Sequence, residues 1–109
     1  MKASILRIPV SGLSHIKNAG ILNSIEKGSH LYLKPIHDNA YDEYAVAVCA
    51  DEECEHQLGW IPKGPNIVIH NLIEAGYNIS AVCTGNDPAA NSAVRLHVMV
   101  WLDTEAEEV

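Results

Sequence analysis

The 109-residue sequence predicts a mainly β fold, a small OB-like or SH3-like β-barrel of about six strands with one main helix plugging it. Three observations carry that expectation. Short apolar runs, alternating or continuous, recur along the chain between polar turns rich in Gly, Pro, Asn and Asp. Only one segment, "GPNIVIHNLIEAG", has helix punctuation at both ends. The hydrophobic content of 48% supplies one core in so short a chain, so one domain is expected over residues 1–102, with an acidic and disordered tail at 103–109.

"SILRIPV" (4–10) alternates Leu6, Ile8 and Val10 with Ile5, Arg7 and Pro9, and Pro9 suits a sheet edge. "SGLSHIKNAGILNSIEKG" mixes turn residues with Ile16, Ala19, Ile21, Leu22 and Ile25, which fits a short helix ending at Gly28. "SHLYLKPI" reads as a strand with Leu31 and Leu33 inward and His30, Tyr32 and Lys34 outward. "HDNAYDEY" is a turn or a single helical turn, with Asp38 or Asn39 as its cap. "AVAVCA" is a strand of small apolar residues, buried on both faces. "DEECEH" is a charged hairpin loop and "QLGWIP" the returning strand. In the helix, Pro65 occupies the first helical position, Ile69, Leu72 and Ile73 form the apolar face with Val68 beside it, and Gly76 ends it. "NISAVCTG" and "AVRLHVMVWL" are two further strands joined by "NDPAANS".

Composition narrows the function classes. The opening "MKASILRIPV" has no secretory pattern and no run reaches membrane-span length, so a cytoplasmic protein with no membrane partner is expected. Three cysteines, Cys49, Cys54 and Cys83, argue against a disulfide framework and for a reducing compartment. The net charge of -7 opposes a generic basic nucleic-acid binder. Yet 8 of the 14 acids lie in "DEECE" and in the tail, which leaves 6 acids against 7 Lys+Arg in the body. Screening confines each acidic stretch to about 10 Å.

The order "SGLSHI", "LYLKPIHDNAYDEYAVAV", "LGWIPK", a helix and then "LHVMVW" resembles the HIRAN domain family over residues 4–102. The resemblance is to its stand-alone bacterial and phage type. It implies a nucleic-acid-binding module that takes the 3′-hydroxyl end of single-stranded DNA, as the domain does in a helicase-like transcription factor. By the same resemblance Asp42 accepts the terminal 3′-hydroxyl, Tyr41 packs on the nucleotide, Asn39 shapes the turn and Lys63 contacts a phosphate. The chemistry is consistent with these roles. A carboxylate forms a charge-assisted bond to a hydroxyl and repels a 3′-phosphate. An aromatic face holds an unstacked base, and a cation neutralises the phosphate.

The chain also departs from the family pattern. Ser14 and His15 stand where the DNA-binding relative has an Arg-Tyr pair, Ala40 where proline is usual and Tyr44 where asparagine is common. Thr84 falls where a second stacking aromatic is expected. These changes imply weaker binding of single strands.

On the residues alone, Tyr41 and Asp42 fit a structural turn as well as a site, Lys63 and His15 fit solvated surface, and His97, Trp60 and Trp101 fit packing. Cys49, Cys54 and His56 have the spacing Cys-x4-Cys-x-His but no local fourth ligand, so a charged hairpin is favoured over zinc and no cofactor is expected. Asp42 and His15 are an acid/base pair if they share a cleft, but no catalytic motif accompanies them. The expected partner is a nucleic-acid end, alone or with a DNA-processing protein. The alternative is a protein-interaction module of the same fold, and a small hydrolase ranks last.

Overall fold

A computed structural model describes residues 1–16 and 19–104. Within them six strands form one antiparallel sheet: β1 Lys2–Pro9, β2 His30–Pro35, β3 Val46–Cys49, β4 Gln57–Trp60, β5 Asn78–Asn86 and β6 Leu96–Asp103. The helices are α1 Ala19–Asn23, α2 Pro65–Glu74 and α3 Ser92–Arg95, and Leu13–His15 is a 3-10 turn. The strand order is β1-β6-β5-β2-β3-β4. The mainly β class with one main helix is as the sequence predicts.

The sheet curves strongly without closing into a barrel along its length. Its bend lies at β2, which pairs with β5 only at His30 and Leu31 and with β3 from Tyr32 to Pro35. The two outer strands, β1 and β4, meet at one place. Just past β1 the chain leaves β6, where the Val10 amide donates to Leu96 O at 2.8 Å. It then bridges to β4: the Ser11 amide donates to Trp60 O at 2.9 Å and the Trp60 amide donates to Ser11 O at 2.8 Å. The Ser11 hydroxyl adds a third bond to Trp60 O, at 3.0 Å.

This seam sets the chemistry of two sequence motifs. A Cβ on Gly59 would collide with the Ser11 carbonyl oxygen and lie 2.8 Å from Val10 Cγ1. Gly12 has φ 77°, and a Cβ there would sit 3.0 Å from the Trp60 ring. The glycines of "SGLSHI" and "LGWIPK" let the two segments press together.

Burial follows the predicted alternation. Leu31 is buried and Leu33 half-buried on β2, while all of Val46–Cys49 is buried. Val10, Leu31, Val48, Leu58, Ile69 and Val98 belong to one contiguous core. Pro9 lies at the end of outer strand β1. Strand β6 runs to Asp103, one residue past the expected boundary, and the tail from Glu105 lies outside the described residues. Among the described residues no helix is long and apolar enough to cross a membrane.

Three expectations need correction. The helix expected to end at Gly28 stops at Asn23. Asn86 of β5 supplies the reason: its Nδ2 donates to the carbonyls of Leu22 and Ile25 at 2.9 and 2.8 Å, satisfying groups that would otherwise need further helical turns. On α2, Pro65 and Gly76 act as predicted, with Gly76 at φ 95° and its amide bonded to Ile73 O. Of its expected apolar face Ile69 is buried, Ile73 packs against the core and Leu72 is half-buried, while Val68 is 58% exposed. Two polar residues four apart on the helix, Asn66 and His70, share the buried face with them.

The third correction is covalent. Cys49 and Cys54 form a disulfide across the β3–β4 hairpin, with Cα atoms 5.1 Å apart, and Cys83 is free and buried. An odd cysteine count left room for one local pair. The two sulfurs bond to each other, so Cys49, Cys54 and His56 do not form the thiolate zinc site considered from the sequence. Asp51 caps the loop, accepting from the Glu55 and His56 amides at 2.8 Å each. These bonds, that of Glu55 foremost, hold its carboxyl below the usual carboxylate range. Thiol titration under denaturing conditions is expected to find one free thiol per chain before reduction and three after it. Three before reduction would remove the disulfide.

Candidate functional site

The turn between β2 and β3 is built by its own side chains. Asn39 Oδ1 accepts from the amides of Tyr41 and Asp42 at 2.8 and 3.0 Å, so Asn39 and not Asp38 is the cap. Asp42 Oδ1 then accepts from the Tyr44 amide at 2.9 Å. These bonds fix Asp42 half-buried while Tyr41 is turned out, 91% exposed. So exposed a ring covers none of the sheet rim.

The other carboxylate oxygen is held from behind. Asn66, 2% exposed at the start of α2, donates from Nδ2 to Asp42 Oδ2 at 2.8 Å and to Tyr44 O at 3.1 Å. Its Oδ1 accepts from the Gly64 amide at 3.0 Å. The buried amide is therefore satisfied on both sides and ties the helix start to the turn. A carboxylate offers about four lone-pair sites, so Asp42 retains acceptor capacity after these two bonds.

Asn39, Tyr41, Asp42 and Lys63 converge on one cleft of about 490 Å³, walled by Ser11 and Trp60 from the seam. That volume lies within the range of small-ligand clefts. A second cleft, of about 450 Å³, lies on the seam's other flank and is lined by His15, Glu55 and His56, with Trp60 again in its wall. Trp60 is thus common to both.

Four of the seven expected site residues are gathered and three are not. His15 lines the second cleft, so it does not share the Asp42 cleft as an acid/base pair would. Ser14 is exposed on the 3-10 turn and lines neither cleft. Thr84 sits at an irregularity of β5 between Cys83 and Gly85, away from both clefts, with its hydroxyl oxygen buried and without a hydrogen-bond partner. Sequence reasoning missed Ser11, Trp60 and Asn66. Trp60 stood within "LGWIPK" but was read as packing. Nothing in the helix pattern distinguished Asn66 from solvent-facing polar residues.

Fold and site together define a small single-sheet β domain with a two-part cleft at the seam between its outer strands. The chain belongs to the HIRAN family: the model of the HIRAN domain matches residues 5–103. A protein from Lactobacillus plantarum is similar in structure, with a TM-score of 0.79 at 20% identity, over 94% of this chain and 95% of that one. The HIRAN domain of human HLTF is also similar, with a TM-score of 0.62 at 19% identity, over 92% of this chain and 77% of that one. No curated protein matches significantly in sequence.

Proposed function

We propose that this HIRAN domain is a nucleic-acid-binding module that reads the 3′-hydroxyl end of single-stranded DNA. The observation that carries the reading is the convergence of an outward aromatic ring, a held carboxylate and an exposed ammonium on one cleft: Tyr41, Asp42 and Lys63. The terminal base stacks on Tyr41, the 3′-hydroxyl donates to Asp42 and the adjoining phosphate meets Lys63. The Asp42 cleft sets Lys63 against Asp42 and so carries no net formal charge, whereas the second cleft carries Glu55. A polyanion is therefore repelled less on the Lys63 side. With a single cation in the cleft and an acidic chain overall, binding is weak and salt-sensitive.

The test is fluorescence anisotropy with two labelled short single strands, one ending in a 3′-hydroxyl and one in a 3′-phosphate, at low salt. Tighter binding of the hydroxyl end, weakening as salt rises, is expected. Tyr41→Ala should cost about 1–3 kcal/mol of stacking, roughly a 5- to 150-fold weaker Kd. Equal affinity for both ends would remove end reading. Binding of neither strand would point to a protein partner for the same fold.

A further inference from the structure

Outside both clefts, α2 meets the start of the same turn through His37, His70 and Glu74. The geometry points to a site for a divalent transition metal of the zinc type, held by the imidazoles of His37 and His70 and the carboxylate of Glu74. The three donor atoms lie within 4.8 Å of one another, and His37 Nε2 stands 3.0 Å from Glu74 Oε1. Tetrahedral zinc with bonds of about 2.0–2.1 Å needs donors about 3.3 Å apart. His37 and Glu74 are both exposed and already in contact, so rotations of these surface side chains complete the set.

His70 is the fixed member. It is 6% exposed, and its ring makes edge contacts with those of Tyr44 and His37 at centroid distances of 5.6 and 5.8 Å. Its Nδ1 faces the Ala45 carbonyl at 3.4 Å. A carbonyl only accepts, so a bond there places the proton on Nδ1 and leaves the Nε2 lone pair to a metal. Metal-bound histidines commonly have such an outer partner. His70 and Glu74 are four apart on one helix and share a face. Two imidazoles and one carboxylate suit zinc and its neighbours rather than calcium or magnesium, and three protein ligands leave a position for water. This site is independent of the nucleic-acid reading. It lies on the loop that carries Asp42, which α2 would then hold at both ends, through Asn66 and through the metal.

The experiment uses the untagged full chain with the Cys49–Cys54 disulfide intact. Zn2+ is titrated by calorimetry, and Co2+ is followed by its visible d–d absorption. One equivalent of Zn2+, a Co2+ spectrum of low-symmetry nitrogen and oxygen ligation, and a Tm that rises with Zn2+ are expected. His37→Ala and Glu74→Gln change exposed side chains, so both should fold, and each should weaken Zn2+ at least ~10-fold, the loss already typical of outer-shell partners. No stoichiometric binding, or binding that survives both substitutions and so belongs elsewhere, for instance at His15 and His56, overturns the site.

Discussion

Asp42→Ala is expected to erase discrimination between 3′-hydroxyl and 3′-phosphate ends. Under the proposed reading the carboxylate of the unmodified chain contributes twice. It accepts a hydrogen bond from the hydroxyl, worth about 1.5–3 kcal/mol because the acceptor is charged, and it repels a phosphate placed at the same point. The hydroxyl end should therefore be preferred by about 10- to 150-fold. The substitution also strips the Tyr44 amide of its side-chain acceptor and leaves Asn66 Nδ2 with the Tyr44 carbonyl alone, so some stability is lost with it. For that reason the informative quantity is the ratio of the two affinities within one variant, which does not depend on the folded fraction. A ratio near one in Asp42→Ala, with residual binding through Tyr41 and Lys63, is the expected result. An unchanged ratio would mean that Asp42 serves only its own turn.

The second large effect falls on the fold. Gly59→Ala places a methyl group against the Ser11 carbonyl oxygen, which is the acceptor for the Trp60 amide. That oxygen belongs to backbone and cannot rotate away, so the bridge must open or both strands must move. Overpacking costs about 1–3 kcal/mol and occasionally more; backbone against methyl belongs at the upper end, and for a domain of this size the Tm should fall by roughly 10–20 °C. Gly85→Ala is the control, since a Cβ there meets nothing within 4 Å. Equal melting of the two variants would show that the seam yields at little cost. Loosening it should also disturb both clefts, because Trp60 walls each of them.

The strands were legible because alternation and continuous apolar runs report burial directly: Leu31 and Leu33 point inward, and Val46 to Cys49 are buried throughout. The main helix was legible because Pro65 and Gly76 punctuate it through backbone preferences that context rarely overrides. The convergence of Asn39, Tyr41, Asp42 and Lys63 came from resemblance in motif order. Composition alone left Tyr41 and Asp42 evenly divided between turn and site. What stayed hidden depends on long-range partners. Asn66 and His70 turn inward because Asp42, Tyr44 and Ala45 wait for them, more than twenty residues away in the chain. Asn86 ends a helix sixty residues before it. The Cys49–Cys54 bond was masked by an odd count, and closure into a barrel was assumed where one bridge suffices.

Strand β1 finds its partner in β6, at the far end of the described chain. Nearly every residue between them must be enclosed in a loop before the first of those hydrogen bonds forms, and that entropy is spent before any contact repays it. Hairpins such as β3–β4 close early and locally, whereas the β1–β6 ladder and the Ser11 bridge can only come late. A chain wired this way assembles slowly for its size. The Asp42 cleft, walled by the last contact to form, exists only once folding is complete.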